Sequence, residues 1–345
     1  MINKELYNTP MELDQFNQFL AKLPSYRRKQ IYRLIFVDLI TDWQKAYVLP
    51  KFLRNELDTM LSLVPSGQFL HSSNDKTIKA VVTLSDELKI ETVLMRYKSR
   101  NSVCVSSQVG CALGCRFCAT GRMGFRRNLT SWEIVQQVLM FARFLSNDKS
   151  TTKGRVTNLV FMGMGEPFLN YDQVIGAIRC LHDPMGFNMG SRHFSISTSG
   201  IPDGIRKLAD ELPEVNLAFS LHAVDNDLRS RLMPINKKFS LSEVLEAIDY
   251  YLKKTNRKVM LEYILIGNVN DQPEHALSLA NLIMERRHLF HVNLIRYNPT
   301  GMFQAPTDLS VSRFISLLKD KGVSVTERTR FGRDIQASCG QLAIK

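Results

Sequence analysis

The sequence has no hydrophobic run long enough to span a bilayer, although 44% of its residues are hydrophobic. Its first residues, Met1-Ile-Asn-Lys-Glu5, lack the charged and then apolar pattern of a secretion signal. We therefore expect a cytoplasmic protein without a membrane segment. The chain has only six cysteines. In a reducing compartment they favour metal or redox chemistry over a structural disulfide framework.

Three of the cysteines stand close together at C-x3-C-x2-C spacing, as Cys111, Cys115 and Cys118. Three thiolates can bind three irons of a 4Fe-4S cluster and leave the fourth iron open to chelate a small molecule, whereas an electron-transfer cluster normally takes a fourth Cys. The alternative is a zinc site, but zinc knuckles carry a fourth Cys or His close by. Here none follows until Cys180 and His182. The spacing therefore predicts an iron–sulfur cluster.

The overall charge indicates the class of partner. The formal net charge is +12 and the isoelectric point is about 9.4. Such a basic chain favours a polyanionic partner such as nucleic acid, although binding of small anions accounts for the same charge. The length of 345 residues is sufficient for one large domain and a smaller one.

The first 75 residues have the apolar spacing of helices, followed by two strand-like runs at 78–84 and 90–97. Basic residues in the helical part suit either a nucleic-acid-binding module or a solvated helix face. We predict a helical accessory domain at 1–75, a linking β-hairpin at 76–102 and an α/β domain at 103–345. The apolar positions of the helical part include Leu20, Leu23, Ile31, Leu34, Ile35 and Leu39.

From residue 103 onward, predicted strands and helices alternate. Six strand–helix units predict a parallel sheet with right-handed crossovers. Six units are enough for an incomplete barrel, whereas a closed barrel of this kind needs eight. The fold class is therefore α/β, a partial (β/α)6 barrel. The predicted strands are 103–107, 157–162, 194–197, 215–221, 259–266 and 292–297, and the predicted helices are 131–145, 171–181, 204–212, 241–254, 274–287 and 311–321.

Polar residues follow several of these strands, at the edge where α/β proteins place their sites. Gly163 and Gly165 would let the backbone approach a ligand, and Glu166 would offer a carboxylate to an ammonium group. His222 has two interpretations, a ligand-binding residue or a satisfied core histidine. Hydroxyl and amide side chains that would hydrogen-bond a ribose or a carboxylate are Ser197, Ser220 and Asn298.

The remaining three cysteines differ in their settings. Cys180 lies in a predicted helix beside apolar residues, so we interpret it as a small buried side chain. Cys104 lies on the strand that enters the cysteine loop, and Cys339 lies near the end of the chain. The residues by themselves leave the roles of these two cysteines open, although both can reach the mouth of the predicted barrel.

Taken together, these segments closely resemble the radical S-adenosylmethionine (SAM) RNA adenine methyltransferases, the family of RlmN and Cfr. The resemblance runs from about Glu91 to Leu342 and implies a 4Fe-4S cluster that binds SAM at its open iron. The helical part at 1–75 also fits the accessory domain of that family. The matching segments are Glu91-Thr-Val, Cys104-Val-Ser-Ser-Gln-Val-Gly-Cys111, Phe117-Cys-Ala-Thr-Gly121, Met162-Gly-Met-Gly-Glu166-Pro, Ser197-Thr-Ser-Gly200, Ser220-Leu-His222, Met233-Pro-Ile-Asn236 and Ala337-Ser-Cys339-Gly-Gln-Leu342.

The resemblance also implies a mechanism, because adenine carbons are too weakly nucleophilic for ordinary methylation and the cofactor carries the difficult step. In that family Cys339 would take a methyl group from one SAM, and cleavage of a second SAM at the cluster would lead to addition of that carbon to adenine. Cys104 would resolve the protein–RNA adduct through a transient Cys104–Cys339 disulfide, and Glu91 would be the proton acceptor. The SAM contacts implied are Gly165, Glu166, Ser197, Ser220, Leu221, His222 and Asn298.

The carbon that is methylated remains open at this point. RlmN-type enzymes methylate adenine C2 in 23S rRNA and in certain tRNAs, whereas Cfr-type enzymes methylate C8 of the same rRNA adenosine. Segments 165–170 and 261–263 resemble the C2 group and segment 295–300 resembles the C8 group. We favour C2, with 23S rRNA and tRNA as substrates and a flavodoxin- or ferredoxin-type protein as electron donor. Arginines expected to hold RNA phosphates are Arg122, Arg126 and Arg127.

Two other hypotheses compete with this one. A redox-sensing RNA-binding protein would also carry an iron–sulfur cluster, but it has no reason to carry both Cys104 and Cys339. A radical SAM enzyme with a non-RNA substrate would need the same cluster loop, and the net charge of +12 weighs against it.

Overall fold

The computed structural model describes residues 13–148 and 154–343. Three helices open this part of the chain, α1 (Leu13–Ala21), α2 (Ser25–Phe36) and α3 (Lys51–Met60). Ile31 and Ile35 of α2 are fully buried, as the apolar spacing predicts. Residues 1–12 of the predicted helical region lie outside the described residues.

The predicted helical region ends earlier than expected. Instead of continuing to residue 75, the chain forms a strand, β1 (Ser66–His71), that pairs antiparallel with β2 (Thr77–Thr83). All six residues of β1 are exposed, so no alternation of buried and exposed side chains marks it in the sequence. Pairing with the edge of β2 determines this strand, and such pairing is a tertiary effect.

The predicted hairpin is confirmed, and it extends the sheet of the α/β domain. Strand β2 pairs antiparallel with β3 (Lys89–Arg96), and β3 pairs antiparallel with β4 (Asn101–Cys104). The strand predicted at 103–107 therefore ends at Cys104. Beyond it, the Ser106 N–H donates to the Gln137 side chain instead of a strand. The chain then enters a separate two-stranded sheet, β5 (Gln108–Gly110) with β6 (Phe125–Asn128), that brackets the cysteine loop.

The main sheet has ten strands in the described residues, in the order β1-β2-β3-β4-β7-β8-β9-β10-β11-β12. From β4 onward every neighbouring pair is parallel, which confirms the six predicted strands of an incomplete barrel. β12 adds a short seventh parallel strand that the sequence pattern did not reveal. The later strands are β7 (Asn158–Phe161), β8 (Phe194–Thr198), β9 (Asn216–Ser220), β10 (Val259–Leu265), β11 (Phe290–Arg296) and β12 (Val325–Glu327).

The connecting helices match the predicted ones within a few residues. Capping boxes begin two of them, Thr130 with Glu133 and Ser240 with Glu243. The remaining helices are α4 (Ala119–Met123), α5 (Ser131–Asn147), α6 (Tyr171–His182), α7 (Pro202–Glu211), α8 (Asn226–Leu232), α9 (Leu241–Thr255), α10 (Pro273–Ile283) and α11 (Asp308–Asp320). No helix in the described ranges is long and apolar enough to cross a membrane.

The N-terminal helices and the segment after them pack on the outer side of α5. Trp132 and Gln136 of α5 both donate to the Ser62 carbonyl, and the Arg143 guanidinium donates to the carbonyls of Leu39 and Ile40. Helix α5 is therefore buried on almost all sides. This packing leaves the opposite edge of the sheet, where the parallel strands end, free to form a site.

Candidate active site

The carboxyl ends of the parallel strands surround a cavity of about 880 Å³, here called the cysteine-loop cavity. The three clustered cysteines lie on one wall, and residues that follow β7, β8 and β9 lie on the others. The predicted site residues that line it are Cys111, Cys115, Cys118, Gly165, Glu166, Ser197, Ser220 and His222.

Backbone hydrogen bonds hold the cysteine loop in a tight turn. The Cys111 N–H donates to the Gly124 carbonyl at 3.0 Å, and the Cys118 N–H donates to the Cys115 carbonyl at 3.1 Å. Burial raises the pKa of the Cys111 thiol to about 12. Among the described residues, no three His, Cys, Asp or Glu side chains converge as a single metal ion requires. Three cysteines on one wall of the cavity suit a 4Fe-4S cluster, which takes three thiolates and leaves one iron open.

The glycines after β7 are required by the protein's own packing. A Cβ on Gly163 would lie 2.6 Å from the Val105 carbonyl oxygen, and a Cβ on Gly165 would lie 2.6 Å from Cβ of Gln108. Gly165 also has φ of +102°, a conformation that other residues rarely adopt. Both glycines also line the cysteine-loop cavity, and the approach of a ligand to their backbone stays a prediction.

Glu166 presents a fixed carboxyl group to the cysteine-loop cavity. Its Oε2 accepts the Ser199 N–H at 2.8 Å, and its Oε1 accepts the Phe168 N–H at 3.2 Å. Burial raises the pKa of this carboxyl, and the backbone donors act in the opposite direction. An oriented carboxylate of this kind can bind an ammonium group by charge-assisted hydrogen bonds.

His222 is buried and also lines the cysteine-loop cavity. It is therefore a hydrogen-bonded core histidine that is also in a position to contact a ligand. Its Nδ1 accepts the Ile264 N–H at 3.1 Å, which leaves the proton on Nε2. Burial, together with the Arg229 charge, lowers the pKa of His222 to about 3, so the ring is neutral. Its φ of +59° is unusual for a residue with a side chain. The edge-on ring of Phe117 lies 4.8 Å away, between ring centres.

Two serines face each other beside this histidine, whereas the neighbouring leucine points elsewhere. The Oγ atoms of Ser197 and Ser220 are 3.4 Å apart, at the ends of β8 and β9. Leu221 has no exposed surface and is absent from the cavity walls. Its N–H donates to the Glu262 carbonyl.

A second cavity of about 620 Å³, here called the Cys104 cavity, adjoins the first. Cys339 and Arg328 line both cavities. Cys104 is buried, and burial, followed by the nearby Cys339, raises the pKa of its thiol to about 12. Cys339 is exposed. Both cysteines are free thiols. The structure thus brings together two cysteines from opposite ends of the α/β domain.

The segment that carries Cys339 is pinned to the cysteine loop and to β11. Asn298 Nδ2 donates to the Cys339 carbonyl at 3.1 Å, and the Ala119 N–H donates to the Gly340 carbonyl at 2.8 Å. Asn298 lines the Cys104 cavity and is almost fully buried. Within the described part of the chain its Oδ1 has no hydrogen-bond partner. A buried acceptor without a partner is costly and indicates a missing donor.

Sequence reasoning missed an ion pair at the junction of the cavities. Arg328 Nη1 donates to Glu262 Oε2 and to the Met162 sulfur, at 3.2 Å each. Burial raises the pKa of the Cys339 thiol, and the Arg328 guanidinium opposes that effect. A carboxylate within the apolar strand β10 was a usable signal for Glu262. No periodic pattern marks Arg328, which follows the short strand β12.

Glu91 lies away from both cavity walls. Lys79 Nζ is 2.8 Å from Glu91 Oε1, and both side chains are buried. Burial raises the pKa of Glu91 and Lys79 opposes this. Because side chains alternate along a strand, Glu91 shares the face of β3 that carries Val93, Met95 and Tyr97, which line the Cys104 cavity.

The arginines after the cysteine loop are only partly available to RNA. Arg127 is paired with Asp86 at 2.6 Å and with Glu133 at 2.8 Å, so these two carboxylates compete with RNA phosphates for its guanidinium. Arg122 donates to the Thr300 carbonyl, while Arg126 is exposed. The expectation therefore applies best to Arg126.

Comparison with known proteins adds to this geometry. A model of the Radical SAM superfamily matches residues 105–280. A "Probable dual-specificity RNA methyltransferase RlmN" of Chloroflexus aurantiacus is 43% identical over 332 residues, covering 93% of this chain and 87% of the relative. One of the same name from Geobacillus kaustophilus is 43% identical over 340 residues, covering 97% and 92%. The crystal structure of a radical SAM methyltransferase from Sphaerobacter thermophilus matches with a TM-score of 0.91 and 43% identity, covering 96% of this chain and 99% of that one.

Proposed function

The chain belongs to the radical SAM superfamily and, within it, to the RlmN family of RNA methyltransferases; on that premise we propose that it methylates adenine C2 in 23S rRNA, at the peptidyl transferase centre, and in tRNA next to the anticodon. The observation that carries this proposal is the place of Cys339. Its thiol faces a cavity built around three cysteines and a second cavity that contains Cys104. A methyl carrier needs access to a donor on one side and an acceptor on the other.

The cavity residues fit a cluster and SAM. Three cysteines would hold a 4Fe-4S cluster with one open iron, and Glu166 would bind the ammonium group of SAM. Asn298 Oδ1, buried and without a partner in the described residues, would accept an N–H of SAM. When bound and reduced, the cluster supplies the electron that cleaves SAM. The other expected SAM contacts are Gly165, Ser197, Ser220, Leu221 and His222.

Cys339 is the methyl carrier in this proposal. Its thiolate sulfur forms a bond to the methyl carbon of SAM while the bond from that carbon to the sulfonium sulfur breaks, and S-adenosylhomocysteine leaves. The thiol proton passes to water in the cavity. The positive charge of Arg328 favours the thiolate, which burial disfavours.

Cys104 and Glu91 complete the proposed reaction after the carbon has been added to adenine. The Cys104 thiolate attacks the Cys339 sulfur, so that a disulfide forms while the bond from that sulfur to the transferred carbon breaks. The carbon leaves with the electron pair of that bond, which the adenine ring delocalises, and takes up a proton to become the methyl group. Glu91 accepts the proton that the adenine carbon loses. What supports this role is its place on the face of β3 that continues into the Cys104 cavity, together with a buried Oε2 that lacks a hydrogen-bond partner in the described residues.

The product of an anaerobic reaction tests the proposal. Reconstituted protein, SAM and reductant are incubated with a 23S rRNA fragment or tRNA, and nucleosides are identified by mass spectrometry. We expect 2-methyladenosine. Formation of 8-methyladenosine would instead establish the Cfr-type alternative, which segment 295–300 favours. No methylated adenosine, despite an intact cluster and SAM cleavage, would reject RNA methylation.

One pair of variants distinguishes the RNA methyltransferase from the redox-sensor alternative. Cys339→Ala should abolish RNA methylation while the cluster remains, and Cys180→Ala should leave methylation unchanged, since Cys180 is buried in α6 away from both cavities. A sensor would respond equally to both changes.

The partners and the domain division remain our own predictions. A flavodoxin- or ferredoxin-type protein would supply electrons in the cytoplasm, where ribosomes and tRNA are found. The accessory domain at 1–75 is predicted to bind RNA. A chain that begins at residue 76 should therefore have a lower RNA affinity, with its cluster content measured as the control.

A further inference from the structure

A buried lysine contacts the proposed proton acceptor. Lys79 of β2 stands opposite Val93 of β3, so the side chains of Lys79 and Glu91 occupy diagonal positions on one face of the sheet. Lys79 Nζ lies 2.8 Å from Glu91 Oε1, and the two side chains are only 6% and 3% exposed. The register of the hairpin therefore places one cation directly against this carboxylate, where water has little access.

The contact with Lys79 satisfies only one oxygen of the Glu91 carboxylate. The buried Oε2 has no hydrogen-bond partner within 13–148 and 154–343. An ion pair that only stabilised the fold would place both oxygens on donors, because a buried acceptor without a donor is destabilising. The arrangement therefore indicates a further role for this carboxylate, in which Oε2 remains available for a proton.

Lys79 also contacts the segment that carries Cys339. Its Nζ donates to the Gln336 carbonyl at 3.4 Å, three residues before Cys339 in the chain. Gln336 has φ of +52°, a conformation that residues with a side chain rarely adopt. One ammonium group thus joins the carboxylate on β3 to a constrained turn next to the proposed methyl carrier.

The charge of Lys79 has a second effect on Glu91. Burial raises the pKa of the Glu91 carboxyl, and the Lys79 ammonium is the main influence in the opposite direction. Among the described residues, Lys79 is the charged side chain that acts on Glu91. Without this ammonium, a carboxyl buried so deeply should be protonated at neutral pH and unable to accept another proton.

We propose that Lys79 is a positioning residue, whose ammonium fixes Oε1 of Glu91, leaves Oε2 to take the proton from adenine and couples this carboxylate to the segment of Cys339. The same ammonium keeps Glu91 in the charged form that a base requires. This inference rests on the proposed function and adds Lys79 to it. In the proton transfer, the C–H bond at the adenine carbon breaks, its electron pair stays with the adduct, and Oε2 forms the new O–H bond.

The first test measures single-turnover RNA methylation by Lys79→Met and Lys79→Arg. Loss of the ammonium in Lys79→Met should lower the rate about 100-fold, as loss of a general base does. Lys79→Arg retains the positive charge and should recover most of that loss. Methylation of Cys339 by SAM without RNA, read by peptide mass, should persist in both variants, because Glu91 takes no part in that step.

Arg96→Met is the matched control for this test. It breaks another ion pair of β3, between Arg96 and Asp148 at 2.8 Å, and Arg96 lines neither of the two cavities. Its RNA methylation should stay close to that of wild type. A rate for Lys79→Met equal to that of the control, or a parallel loss of Cys339 methylation in Lys79→Met, would overturn the proposal.

The second test asks whether Lys79 acts through Glu91. Single-turnover rates are compared for Glu91→Gln and for the double variant Lys79→Met, Glu91→Gln. If Lys79 acts through Glu91, its loss should lower the rate no further once the carboxylate has been removed. Losses that add in full would show an effect of Lys79 on the fold as a whole and would overturn the proposal.

The last test does not depend on turnover. The infrared spectrum of Lys79→Met at neutral pH, minus that of the double variant, should contain the carbonyl band of a protonated carboxyl group, whereas wild type minus Glu91→Gln should not. Absence of the band in Lys79→Met would reject the role of Lys79 even if the wild type methylates RNA. Presence of the band without RNA methylation by the wild type would reject the proposed function and with it the proton transfer, while the effect of Lys79 on the charge of Glu91 would stand.

Discussion

Arg328 Nη1 donates to Glu262 Oε2 across 3.2 Å, and Glu262 also accepts from Asn293 Nδ2 at 2.8 Å. The Glu262 side chain is only 3% exposed, so water cannot replace its partner. Glu262→Ala should lower the free energy of unfolding by about 3 kcal/mol, because it leaves a largely buried guanidinium without its carboxylate. Urea denaturation measures this loss. Glu211→Ala is the control, since its pair with Arg179 is exposed and should contribute under about 1 kcal/mol. Equal losses of unfolding free energy in Glu262→Ala and Glu211→Ala would contradict a stabilising role for the buried pair.

Two glycines of the cysteine loop provide a matched test of packing. Gly110 and Gly114 have similar positive φ values, +73° and +62°. A Cβ on Gly110 would lie 1.8 Å from the Gly124 carbonyl oxygen, whereas a Cβ on Gly114 meets nothing within 4 Å. Gly110→Ala should therefore prevent cluster assembly, while Gly114→Ala should cost about 1–2 kcal/mol of backbone strain and retain the cluster. Iron and sulfide analysis after reconstitution compares the cluster content of the two variants. Full iron content in Gly110→Ala would contradict the prediction, because it would show that the loop can adjust.

Cysteine variants should separate cluster ligands from packing. Cys115→Ser should lose bound iron and the visible absorption of the cluster, because two thiolates are too few to hold it. Cys180→Ala removes a buried sulfur from α6 and should cost about 1 kcal/mol through lost burial, with iron content unchanged. Iron loss in the second variant would place Cys180 among the ligands.

The pair of Asp86 with Arg127 should make stability depend on pH in the acid range. A hydrogen bond from Arg127 lowers the pKa of Asp86 in the folded state. Between the folded and the unfolded pKa the unfolded state therefore binds more protons. The stabilising effect is complete above the unfolded pKa, about 4, and is lost as pH falls through the folded pKa. Urea denaturation measures the free energy of unfolding of wild type and of Asp86→Asn. The difference between the two values should shrink from pH 6 to pH 3. A constant difference over this range would contradict it.

Asp334 anchors the segment that carries Cys339 to the turn between β1 and β2. It accepts hydrogen bonds from the Ser72 hydroxyl and from the Ser73 N–H, both at 2.8 Å. Asp334→Ala should slow methylation of Cys339 about tenfold, since small displacements of a reacting group are costly. Asp320→Ala, an exposed change at the end of α11, is the control. An unchanged rate in Asp334→Ala would mean that the contacts at Asn298 and Ala119 suffice.

The local features of the molecule were predictable from the sequence. Capping boxes at Thr130 and Ser240, the alternation of strands and helices and the spacing of Cys111, Cys115 and Cys118 depend on neighbours in the chain, so a one-dimensional pattern contains them. The residues after β7, β8 and β9 could also be placed at one edge, because parallel strands with right-handed crossovers end on the same side.

Contacts between distant segments were decided by the tertiary structure alone. The exposed strand β1 exists because β2 offers an edge, and the conformations of Gly163 and Gly165 follow from packing on 105–108. The meeting of Cys339 with Cys104, and of Arg328 with Glu262, depends on how far the last segment runs before it folds back over the strand ends. Sequence periodicity predicts which face of a helix or strand is buried, but it does not predict which distant residue packs against that face. For this reason the sequence by itself determined the α/β fold and the cysteine loop, and only the folded chain placed the second cavity beside the first.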